Sequence, residues 1–141
     1  MKTVMLAILG AAISTATVAQ DIPQSEVPSL VLNAFQSKYA KVTDLEWEKK
    51  GDLYKAEFEI GKRDHDVWID ANGQVTKHKE DFPKSELPAA IRQKIDSEFT
   101  DFTIDDVDKI EEDGKVSYLV DLDGKTGDRD VFFNEDGTIL E

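Results

Sequence analysis

The sequence predicts an α+β fold, a tandem repeat of two helix-plus-antiparallel-meander units whose helices pack on one face of the sheet. Three observations predict it. The phrase DVWIDANGQV, Asp66 to Val75, returns sixty-four residues later as DVFFNEDGTI, Asp130 to Ile139. Apolar residues recur every four positions at Val27, Val31, Phe35 and Tyr39, and again at Leu87, Ile91, Ile95 and Phe99, the stripe of an amphipathic helix. Tyr54, Ala56, Phe58 and Ile60 alternate with polar neighbours, as do Val116, Tyr118, Val120 and Leu122, the pattern of a half-buried strand.

Taken in order, the chain opens with Lys2, an apolar run from Val4 to Ile13 and the small residues Thr17-Val18-Ala19. That sequence suits a signal peptide over residues 1–19, cleaved before Gln20. The run is far short of the roughly 20 residues a spanning helix needs, so no membrane anchor is expected. The remaining 20–141 has room for one domain with a modest core. SEVPSLVLNAFQSKYAKVT from Ser25 aligns with SELPAAIRQKIDSEFTDFT from Ser85, and further on Tyr54 pairs with Tyr118, Phe58 with Leu122, Val67 with Val131 and Gly73 with Gly137. Two repeats, 25–84 and 85–141, are therefore expected to form that domain together, since neither buries its apolar face alone.

Each repeat begins with its helix, where Pro28 or Pro88 suits the first turn. Four strands follow in each, near 42–49, 53–60, 64–70 and 74–79, then 104–111, 115–122, 128–134 and 138–141. Short turns imply an antiparallel meander. Asp70-Ala71-Asn72-Gly73 and Asn134-Glu135-Asp136-Gly137 suit a type I turn with glycine in the left-handed position. In that register Ile69 lies beside Val75, Trp68 beside Thr76, Phe133 beside Ile139 and Phe132 beside Leu140. Val67, Ile69 and Val75 then face the helix. Trp68 and Phe132 point away from it, one large aromatic on each hairpin.

Composition narrows the function. The formal net charge is −13, and the excess is concentrated in the second half. Residues 25–84 carry ten Lys/Arg against twelve Asp/Glu, whereas 85–141 carry six against seventeen. Phosphate backbones and anionic lipid surfaces are repelled by such a chain, so nucleic acid is not expected as a partner. There is no cysteine, so neither a disulfide nor a lipid-modified cysteine holds the protein, and packing alone must do so.

The chemical candidates are few. His65 and His78 are the only histidines, and in the register above His78 faces Asp66 while His65 points to the other side, so no zinc site is expected. Asp121, Asp123, Asp128 and Asp130 surround the turn at Gly124 to Gly127 and are weak calcium candidates without EF-hand spacing. Lys125-Thr126-Gly127 echoes a serine beta-lactamase motif, but no S-x-x-K accompanies it. No nucleophile with its base and no glycine-rich phosphate loop is present, so catalysis is not expected and no cofactor is implied.

The small-residue leader, the two [VL]P openings of an amphipathic helix and the two V-[WF]-[IF]-[DN]-x-[ND]-G-x-[VI] phrases resemble the secreted PepSY-like proteins, related in fold to the beta-lactamase-inhibitor proteins. The resemblance covers nearly all of residues 20–141. It implies a beta-lactamase-inhibitor-protein-like fold, a periplasmic or secreted location and a link to peptidase inhibition. The matching positions build the hairpins and carry no inhibitory residue across. The expected function is a non-catalytic exported binding module, with a proteinaceous inhibitor of an exported enzyme as one form of it. Trp68, Phe132 and Leu140 on the open sheet face are its candidate contacts for a protein partner. The alternative is a calcium- or small-ligand-binding structural protein of the cell envelope.

Overall fold

The structure is a computed structural model that describes residues 19–140. The expected signal peptide, apart from Ala19, lies outside the described residues. The elements run β1 (Gln20–Ile22), α1 (Ser29–Lys38), β2 (Thr43–Lys50), β3 (Leu53–Ile60), β4 (Arg63–Asp70), β5 (Val75–Asp81), α2 (Ala89–Glu98), β6 (Phe102–Glu112), β7 (Lys115–Gly124), β8 (Arg129–Asn134) and β9 (Ile139–Leu140). All nine strands join one antiparallel sheet in chain order. Strand β1, whose Gln-Asp-Ile carries no alternation to announce it, adds an edge by setting Ile22 opposite Trp47.

Each helix is entered the same way. A 3-10 turn, Gln24–Glu26 or Lys84–Glu86, delivers a buried Val27 or Leu87, and a proline in extended conformation precedes the first helical residue. Pro28 and Pro88 thus stand one position outside the helix; with φ already fixed, each offers its carbonyl to the helix, Pro28 to the Leu32 amide at 3.0 Å and Pro88 to the Arg92 amide at 3.1 Å. The helices are shorter than their apolar stripes. Val27 and Tyr39 pack from beyond the ends of α1, and Leu87 and Phe99 from beyond those of α2.

Both helices lie on one face. The row Trp47, Ala56, Val67, His78, Glu111, Val116 crosses from β2 to β7 without changing sides, and the row Phe58, His65, Glu80, Lys109, Tyr118, Phe133, Ile139 runs beside it. Two apolar clusters fill that face. Val31 and Phe35 of α1 pack on Trp47, Ala56, Phe58, Val67 and Ile69; Ile91 and Ile95 of α2 pack on Val107, Tyr118, Val120, Leu122, Val131 and Phe133. Phe35 meets Phe58 edge-on at 5.0 Å and Trp47 at 5.2 Å, the arrangement aromatic quadrupoles favour. The turn glycines fix the helices to the hairpins. Gly73 and Gly137 have φ of +83° and +86°, and a Cβ there would come within 2.9 Å of the Leu30 carbonyl oxygen or 2.7 Å of that of Ala90.

The hairpin at Asp70 has the expected turn but not the expected register. The Asp70 amide donates to the Gln74 carbonyl at 2.9 Å and Ile69 pairs with Val75, yet Trp68 pairs with Lys77, not Thr76. Thr76 is an extra residue, a β-bulge whose Oγ1 donates to the Trp68 carbonyl at 3.3 Å. The second hairpin has no such insertion, and Phe133 meets Ile139 and Phe132 meets Leu140 as expected.

Candidate functional site

One inserted residue in a strand sends every later side chain to the opposite face. His78 therefore lies opposite Val67 rather than Asp66, whose partner is Lys79, and it shares the helix side with His65. This overturns the expected separation of the two histidines. His65 Nδ1 and His78 Nε2 are 3.0 Å apart, and Glu80 Oε2 is 3.6 Å from His65 Nδ1. Among the described residues, the ligand atoms of His65, His78 and Glu80 form a group lying within 4.8 Å of one another. Sequence reasoning missed this trio because the only signal for it was the bulge itself.

The trio sits where β4 joins β5, on the helix side of the sheet. His65 is buried and stacks on Phe58 with ring centroids at 5.2 Å, and His78 meets the edge of Tyr39 at 5.6 Å. Burial lowers the pKa of His78; Glu80 and Glu111 oppose that shift, while His65 and Lys38 reinforce it. Tyr39 is pushed up to about 12 by burial, then by Glu111 and Glu80, and its Oη is a buried atom without a hydrogen-bond partner among the described residues. Next to the trio a cavity of about 460 Å³ is lined by His65, Glu80 and Lys79 together with eight further carboxylates, including Asp44, Glu57, Asp66 and Asp108.

The opposite face of the sheet has no helix over it. Trp68 is half-buried there beneath Lys55 and Lys77, whose ammonium groups stand 5.4 and 4.9 Å from its ring, close enough for cation–π attraction. Lys55 is itself paired with Glu57 and lies 3.6 Å from Asp66 and 3.9 Å from Glu48. Burial works to lower its pKa, but those carboxylates outweigh burial and raise it. Leu119, Phe132 and Leu140 stand side by side on β7, β8 and β9, with Phe132 42% and Leu140 38% exposed. Trp68 and Phe132 share the face but not a patch, since four strand spacings separate them by roughly 19 Å.

The acidic candidates stand around the turn between β7 and β8. Asp121 lies directly opposite Asp130. Burial, then Asp130, Asp105, Asp128 and Asp106, raise the pKa of Asp121, and a hydrogen bond to Asp128, followed by its charge, raises that of Asp123.

The family described as "Putative beta-lactamase-inhibitor-like, PepSY-like" matches residues 13–77 and 52–141. No curated protein matches the chain. Among solved structures, the chain is similar to a DUF2874 family protein from Bacteroides uniformis, with TM-score 0.72, 19% identity and coverage of 81% of this chain and 86% of that one. It is similar to a structure described as "putative periplasmic proteins" from Bacteroides eggerthii, with TM-score 0.72, 20% identity and coverage of 82% and 86%. A BLIP-like protein from Bacteroides fragilis is similar with TM-score 0.68, 24% identity and coverage of 81% and 83%. At these identities the likeness establishes the fold, an α+β arrangement of two helices on an open nine-stranded antiparallel sheet.

Proposed function

The chain belongs to the PepSY-like, beta-lactamase-inhibitor-like family, and from that premise we propose that it is a non-catalytic exported binding module that holds a protein partner on its open sheet face. The observation that carries this reading is the apolar row Leu119, Phe132, Leu140, left partly exposed on the face that no helix covers. An exposed aromatic on a rigid strand contributes contact area at small entropic cost. Trp68 is the second contact, its half-buried ring flanked by two lysines. An exported enzyme is the partner class the family description suggests, and inhibition is the form the binding takes.

The finer organisation belongs to the same proposal. Residues 25–84 and 85–141 are two copies of one unit within a single domain, which accounts for the matching helix entries and the matching glycines beneath Leu30 and Ala90. A cleaved leader places the protein in the periplasm or outside the cell. The description of the Bacteroides eggerthii structure as periplasmic agrees with that location, and no helix among the described residues is long and apolar enough to cross a membrane.

Capture of partners from periplasmic and secreted fractions, followed by binding measurements on Trp68→Ala, Phe132→Ala and Leu140→Ala, tests the surface. Each variant is expected to fold normally and to lose about 1 kcal/mol or more of binding. Undiminished binding by all three would remove the open face from the function.

A further inference from the structure

We propose that His65, His78 and Glu80 form a binding site for a first-row transition-metal dication, with Zn2+ and Cu2+ as the best-suited ions. Two imidazole nitrogens and a carboxylate oxygen converge on one point from adjacent strands. Metal bonds of about 2.0–2.1 Å at tetrahedral angles separate ligand atoms by roughly 3.3 Å. The separations of 3.0 Å between the two nitrogens and 3.6 Å from the His65 nitrogen to the Glu80 carboxylate bracket that spacing. The third separation, from His78 to Glu80, lies within 4.8 Å, and side-chain rotation would have to draw those two ligands together.

The donor set selects the class of ion. Imidazole is a poor ligand for Ca2+ and Mg2+, which take oxygen, and a good one for zinc, copper and nickel. Two histidines and one glutamate also leave a fourth position open to water or to a donor from a bound partner. The adjacent cavity, with nine carboxylates in its lining against one lysine, supplies a negative field that concentrates dications at the opening. His65 is held in place by its stack on Phe58 and His78 by the edge of Tyr39, so neither ring has to be ordered when an ion arrives. The simpler arrangement, a plain hydrogen bond between two neutral rings, uses the same two nitrogens and makes no use of Glu80.

His65 and His78 being the only histidines in the chain, any imidazole-specific signal reports on this site alone. The untagged full chain, stripped with a chelator, is titrated with zinc chloride near neutral pH by calorimetry, and the histidine ring nitrogens are followed by NMR. One Zn2+ per chain is expected, with a dissociation constant in the micromolar range or below and with both ring signals displaced together. His78→Gln and Glu80→Gln, each checked for folding by circular dichroism, should weaken binding by at least about tenfold. Calcium chloride should neither displace the zinc nor shift the rings. Ring signals that stay put on zinc addition, affinity unchanged in the folded variants, or displacement of zinc by calcium would each overturn the assignment, the last two by relocating the ion to surface carboxylates.

Discussion

Tyr39 ends α1 with its hydroxyl buried and without a partner among the described residues, between the ring of His78 and the apolar cluster. Because its pKa rises from 10.0 to about 12 on folding, the folded protein holds on to the phenol proton longer than the unfolded chain does. The stabilising effect of that proton is complete below pH 10 and is lost as pH climbs through about 12. Tyr39→Phe should cost less than about 1 kcal/mol at neutral pH, since no hydrogen bond is broken. Thermal midpoints measured from pH 10 to about 12 should fall less steeply in the variant than in the parent. Glycine at 137 stands at the other extreme. Gly137→Ala forces a left-handed backbone on a residue with a Cβ and drives that carbon against the Ala90 carbonyl, so a loss of about 2 kcal/mol or more is expected in urea denaturation.

Strand β5 shows how one element escapes a sequence while its neighbours do not. Strands β3, β4, β7 and β8 alternate apolar and polar residues, and that alternation pins both their limits and their faces. Thr76 to Asp81 reads Thr-Lys-His-Lys-Glu-Asp, with no apolar member to say which side is inward, so nothing marked Thr76 as the extra residue. The turn, Ile69 beside Val75 and the exposure of Phe132 and Leu140 were legible because steric and apolar signals set them. The His65–His78–Glu80 trio and β1 were not, because polar side chains set the one and three undistinguished residues the other. The bulge has a direct test. Deleting Thr76 leaves Ile69 beside Val75 and His78 beside Val67, so the variant should fold with the two histidine rings still in contact, at a cost of about 1 kcal/mol. Deleting Lys79 instead turns Glu80 away from His65 and brings Asp81 toward it, and the contact between His65 and Glu80 should vanish from NMR spectra.

For the whole molecule, the two apolar clusters are distinct, yet the sheet that carries them is continuous through the pairing of β5 with β6. Each half alone buries one helix on a few strands, too small a core for independent stability. Phe35→Ala in one half and Ile95→Ala in the other, both at buried sites, should each destabilise the entire protein by about 2–5 kcal/mol. Calorimetry should show a single transition in the parent and in both variants, and two resolved transitions would mean that the halves melt separately. Strand order identical to chain order also governs how fast the protein forms. Most pairings close short hairpin turns, so each strand can dock on its predecessor within microseconds of its formation. Two joins must wait for a helical segment to be gathered in, β1 to β2 across residues 23–42 with α1 and β5 to β6 across 82–101 with α2. The join of β5 to β6, which unites the two halves, should therefore mature late, so that Ile110→Ala, at the buried residue facing Lys79 across it, raises the unfolding rate and leaves the refolding rate nearly unchanged in a chevron analysis.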